Sequence, residues 1–145
     1  MNRTLELLKK GRELLGKGDK YLTRFAMARN DEDVPIPPYD PTAVCFCSVG
    51  VLIHFANEEE LAVIKAVKGM DLLAFSSKQD FPLRGAIDAL TGAIPPYAYY
   101  KEPTSYSDKG VSYTALLGWW DRAIANEEAR LTNSNDIRKF WLSHW

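Results

Sequence analysis

Asp40-Pro41-Thr42-Ala43-Val44-Cys45-Phe46-Cys47-Ser48-Val49-Gly50-Val51-Leu52-Ile53-His54 decides how this chain is read. It holds both cysteines, one of the two histidines and the clearest helix-start signal in the sequence. Asp40 and Pro41 predict a helix from Pro41 to about Phe55. On such a helix Cys45 and Cys47 lie about 200° apart and point to opposite faces. They then neither bond to each other nor clamp one metal. Cys47 and His54 share a face but stand roughly 10 Å apart along the axis, beyond the reach of about 3 Å that a nucleophile and its base need. The bland reading is two small buried apolar side chains. Gly50 costs about 1 kcal/mol against Ala inside a helix, which predicts that another backbone comes close to it.

Around this segment the chain reads as one ordinary domain. Its 145 residues, 46% hydrophobic and 26% charged, match a globular protein. The longest apolar run, residues 43–56, is too short to span a bilayer. The first residues lack the charged-then-apolar layout of a secretory signal. Two badly placed cysteines give no disulfide framework, so the default expectation is the cytoplasm.

Charge is unevenly spread. Residues 1–30 carry eight basic side chains against three acidic ones, and residues 31–60 carry seven acidic side chains and no Lys or Arg. The basic end raises nucleic-acid binding as one function. The preferred reading is that opposite faces carry opposite charge and help folding or self-association. A nucleic-acid surface would interleave aromatics with a denser basic stripe, and here the aromatics gather at the other end.

Periodicity predicts a series of short helices. The first spans Arg3 to Leu15, with Leu5, Leu7, Leu8, Leu14 and Leu15 inward and Gly16 and Gly18 at its end. Residues 21–28 are a helical turn or a short strand, and 30–40 an acidic, proline-bearing loop. Asn57 and Glu60 form a capping box for a third helix closed by Gly69. Residues 70–75 continue it or form a short buried strand. Asp80 caps a helix to Leu90. Residues 92–110 are a long loop, followed by a helix from about Ser112 to Asn126 and a last helix begun by Asn133 or Ser134. The fold class is therefore mainly α, a single compact domain over 1–145 with five to six short helices and room for a strand pair from 21–28 and 70–75.

Catalytic signals are absent. No phosphate-binding glycine loop, H-E-x-x-H or G-x-S-x-G occurs. A nucleophilic Cys47 would need His144 as its base, and no metal or cofactor set is spelled out. A long loop in a compact domain usually carries function. This one holds Tyr97, Tyr99, Tyr100 and Tyr106, side chains that recognition surfaces favour. With Ser107 and Asp108 they are the candidate binding residues. The competing reading folds the rings back over the core, pinned by Pro95, Pro96 and Pro103. Asp108 is expected to cap the helix that starts near Ser112. Trp119 and Trp120 lie about 100° apart, so one is expected to pack under the terminal helix or a partner.

Three groups carry a resemblance: Cys47, Gly50 and Leu52; Ser107-Asp108; and Trp119-Trp120-Asp121-Arg122-Ala123-Ile124. Their order resembles a domain-of-unknown-function family of short bacterial and phage proteins. Those share a Leu-rich first helix, a Cys-x-x-Gly-x-Leu helix, an Asn-Asp or Ser-Asp turn and a helix ending in Phe-Asp-Arg-Ala-Ile. The likeness covers about residues 1–126 and leaves 127–145 as a Trp-containing helical extension. This chain departs in having Ser107 where the family often has Asn, and in its longer Tyr/Pro loop. The resemblance implies a fold and a bacterial or phage setting, with a host-directed or anti-defence role if the source is a phage. The leading expectation is a non-catalytic binding protein acting on a protein partner or a small ligand. The alternatives are a small hydrolase or transferase using Cys47 or Asp108, and nucleic-acid binding through the first helix.

Overall fold

The computed structural model describes residues 2–67 and 71–143, with the backbone alone described for residue 110 and for 134–143. It is mainly helical, with a two-stranded antiparallel sheet. Helix α1, Arg3–Leu15, packs against α2 (Ser48–His54), α5 (Arg84–Gly92) and α7 (Tyr113–Ser143). Asn2 starts it by accepting the Leu5 amide, and Leu5, Leu7, Leu8 and Leu15 are buried along it. Its Gly11 faces the Trp120 ring, and a β-carbon there would stand 2.7 Å from that ring. The small residue sets the approach of α1 to α7.

The expected helix over 41–55 is shorter than the sequence predicts. Cys45–Phe46 form strand β2, which pairs with β1, Ala28–Arg29, in the register Ala28 opposite Phe46. Helix α2 covers only Ser48–His54. Asp40 turns its carboxylate onto Thr42 instead of starting a helix. Cys45 therefore leaves from a strand, and Cys47 is the residue that caps α2, its Sγ accepting the Gly50 amide at 3.3 Å. The two cysteines are separated by a strand-to-helix junction, not by rotation about one helix. The strand pair also differs from the expected one, because 45–46, not 70–75, partners the early segment. Leu72–Ser76 is a separate short helix, α4, capped by Asp71.

Helix α3, Glu58–Ala66, has the expected capping box between Asn57 and Glu60. Of the apolar residues Leu61, Val63, Ile64 and Val67 only Ile64 is buried, and Val63 is 48% exposed. It ends at Val67, and the expected closing Gly69 lies outside the described residues. Helix α5 is Arg84–Gly92, begun by Leu83 without a side-chain cap, so Asp80 does not serve as predicted.

Residues 103–110 are not a structureless loop. Pro103–Ser105 make a helical turn, α6, that runs into a π-helical turn at Tyr106–Gly110. The last two expected helices are one: α7 is continuous over Tyr113–Ser143. Ser112 caps its start, with Oγ accepting the Ala115 amide at 3.2 Å. Asn133 and Ser134 interrupt nothing, since a polar residue within an established helix costs only tenths of a kcal/mol.

Trp119 and Trp120 both lie wholly in the core, and because the expected terminal helix is the continuation of α7 itself, neither packs beneath a separate one. Adjacent positions reach the same core because α7 fits between α5 and α1–α2. Trp119 Nε1 donates to the Leu90 carbonyl at 2.7 Å, at the end of α5. Trp120 Nε1 donates to Ser48 Oγ at 3.1 Å, at the start of α2. Each indole thus satisfies its polar edge while burying its ring.

Candidate functional site

The site is built where the start of α2 meets the turn after α6. Ser48 is fully buried, and its amide donates to Ser107 Oγ at 3.3 Å. Arg24 Nη1 donates to the Ser107 carbonyl, tying the 24–27 segment to the same turn. That segment is held from the other side by the Cys47 amide, which donates to the Met27 carbonyl at 3.1 Å. The motif residues Cys47, Gly50, Ser107, Asp108 and Trp120, far apart in sequence, therefore converge on one junction.

Two adjoining clefts open beside it. The larger, about 470 Å³, lies between α4, α5 and α6. Val49, Leu73, Ile87 and Pro103 give it an apolar floor, and Asp71, Arg84 and Glu102 supply charge at its edge. Its polar wall carries the hydroxyls of Ser76, Ser77 and Thr91. The smaller, about 320 Å³, is bordered by Phe25, Met27, Cys47, Asp108 and Lys109. Leu73, Thr104 and Ser105 line both. Phe25, 67% exposed and at a left-handed φ of 64°, overhangs the smaller one.

The predicted binding residues divide. Tyr97 and Tyr99 are 89% and 87% exposed. Tyr100 is half-buried, stacks edge-on against Tyr99, and lies under Lys109 Nζ at 5.9 Å. Tyr106 is in the core, its ring 4.9 Å from that of Trp119. Ser107 is also fully buried. Tyr106 thus takes the core reading, while the rings of Tyr97 and Tyr99 stand exposed.

Asp108 does not cap α7, because the extended Val111 stands between the π turn and the helix, and Ser112 takes that place. It faces the 24–27 segment instead. Burial pushes its carboxyl above the ordinary range, opposed by the Phe25 backbone amide and the charges of Arg24 and Lys109. Its Oδ1 is buried without a hydrogen-bond partner among the described residues. Burial also pushes the Cys47 thiol up to about 11, and the Asp108 charge adds to that shift. A thiol in this setting is protonated at neutral pH, and only the thiolate is a nucleophile. His144, the base that Cys47 would need, lies outside the described residues. Among the described residues no group of three His, Cys, Asp or Glu side chains is placed to hold a metal ion.

The signal missed in the sequence was α4. Asp71 followed by Leu72 and Leu73 is a capped helix start, and it supplies one wall of both clefts. Among the described residues no helix is long and apolar enough to cross a membrane. Compared with protein-family models, curated proteins and solved structures, the chain finds no match.

Proposed function

We propose that this chain is a non-catalytic binding protein that holds a small ligand in the cleft between α4, α5 and α6. The observation that carries the reading is the cleft itself, about 470 Å³ with an apolar floor and a polar rim. Its size and lining are those of small-molecule sites. Cys47 supports a non-catalytic reading, because its sulfur is buried, raised to about 11 and engaged as a helix cap. The basic first helix supports it too. Arg3 pairs with Glu60 at 2.5 Å, Arg12 with Asp121 at 2.8 Å and Lys9 with Glu128 at 3.8 Å. Charges neutralised within the domain leave less for a phosphate backbone.

A second reading places a protein partner on Tyr97 and Tyr99, favoured by their exposure of 89% and 87%. Aromatic anchors of this kind carry much of the energy of protein interfaces. A comparison by native mass spectrometry separates the two. The chain and its Ser105→Trp variant, which fills the wall shared by both clefts, are isolated from the native host. A small-molecule adduct on the parent that is lost from the variant supports the cleft. A chain that carries no adduct but co-isolates with a protein, and releases it on Tyr97→Ser/Tyr99→Ser substitution, overturns the cleft in favour of the tyrosine surface.

A further inference from the structure

The sequence Ile-Pro-Pro-Tyr occurs twice, at 36–39 and at 94–97. Both copies fold into the same turn. The Asp40 amide donates to the Pro37 carbonyl at 3.0 Å, and the Ala98 amide donates to the Pro95 carbonyl at 3.0 Å. Each is a four-residue β-turn with tyrosine at its third position and proline at its second, where the fixed φ of proline suits the turn. The isoleucine holds each copy to the core, Ile94 within it and Ile36 packed against it. Local sequence therefore presents Tyr39 and Tyr97 alike.

What differs is the cover. Tyr39 is half-buried, and Lys65 of α3 holds its Nζ over the ring at 4.8 Å. Lysines stand likewise over the half-buried rings of Tyr21 (Lys20, 5.3 Å) and Tyr100 (Lys109, 5.9 Å). Tyr97 and Tyr99 are exposed, and among the described residues no cation lies over either ring. The face of a tyrosine ring is negative and attracts a lysine or arginine. Lys101 Nζ donates to the Pro96 carbonyl at 2.5 Å, so the exposed turn is fixed before any partner arrives, which lowers the cost of docking. The covered copy thus shows the complement of the uncovered one. We infer that the Tyr97 turn docks a protein partner that presents a lysine or arginine from a helix, as α3 presents Lys65 to Tyr39. This rests on the tyrosine-surface reading above and is independent of the cleft.

Amide chemical-shift titration of the full chain with three alanine-based helical peptides of about 20 residues, at low salt, tests the inference. One peptide carries lysine at every fifth position, and the other two carry glutamine or glutamate there. The expected result is saturable shifts at Tyr97, Ala98 and Tyr99 with the lysine peptide alone. Tyr97→Phe/Tyr99→Phe keeps the ring faces and is expected to keep the binding. Tyr97→Leu/Tyr99→Leu keeps apolar area without a ring face and is expected to weaken it roughly fivefold or more. Both variants change only exposed side chains. Equal binding of the glutamine or glutamate peptide, or equal binding by the leucine variant, overturns the cationic partner and leaves the tyrosine surface standing. Lysine-peptide shifts centred on Asp31, Glu32, Glu58 and Glu59 report diffuse charge attraction and overturn the inference. Silence at Tyr97 and Tyr99 with all three peptides overturns it as well. The tyrosine surface then falls with it if capture of a host protein survives Tyr97→Ser/Tyr99→Ser.

Discussion

The carbonyl oxygen of Met27 occupies the space that a β-carbon on Gly50 would need. The first turn of α2 is thereby in backbone contact with the segment that carries Phe25 to the cleft mouth. Gly→Ala inside a helix ordinarily gains up to about 1 kcal/mol. Here the obstacle is main chain, which cannot rotate away, so Gly50→Ala is expected to cost about 3 kcal/mol. Urea unfolding checks this, and an unchanged midpoint would show that the 24–27 segment yields freely.

The tyrosines of the 97–106 stretch are expected to respond in opposite ways. Tyr97→Ser and Tyr99→Ser remove exposed rings and leave the melting temperature within about a degree of the parent. Tyr106→Ser empties the space beside Trp119 and costs about 3 kcal/mol, a fall of several degrees in a thermal melt. A melt in which all three substitutions behave alike would contradict the division of this stretch between surface and core.

Cys47 is expected to resist labelling of the native protein by a thiol reagent at pH 7, because it is buried and its thiol is raised to about 11. Cys45, half-buried on β2, reacts first. Rapid native-state modification of Cys47 would revive it as a nucleophile.

Much of the fold was legible because it follows from local rules. Asn57 and Glu60 announce α3, and the leucines of α1 announce its buried face. Gly50 announced a close backbone approach, though not that Met27 would make it. What failed were the junctions. Asp40-Pro41 reads as a helix start, yet pairing of Cys45–Phe46 with Ala28–Arg29 takes the following residues into a strand. That pairing joins segments far apart in sequence, which periodicity does not see. The same holds for the site. Asp108 was legible as a turn residue, but its neighbours Phe25 and Cys47 come from two other segments. Trp119 and Trp120 were misjudged because the rotation rule for one core stripe ignores a helix wedged between two neighbours.

Asp108 gives a pH signature of known sign. Its folded carboxyl sits above the ordinary value of 3.8 because burial disfavours the charged form. Between that value and the folded one, the unfolded chain has released a proton that the folded chain still holds, so stability falls as pH rises through this window. Above it the whole cost is present. Asp108→Asn keeps an oxygen to face the Phe25 amide and removes the ionisation. The variant is expected to match or exceed the parent in melting temperature at pH 7 and to lose this component of the parent's fall as pH rises above 3.8. A variant that is less stable at pH 7 would mean that the carboxylate charge itself holds the 24–27 segment.

The most direct test of the cleft as the binding site is amide chemical-shift mapping. The isotope-labelled chain is titrated with the small-molecule fraction of its native host. Saturable shifts are predicted at Leu73, Ala74, Thr104 and Ser105, with Tyr97 and Tyr99 unmoved. Shifts centred on Tyr97 and Tyr99, with the α4 and α6 amides silent, would contradict the account.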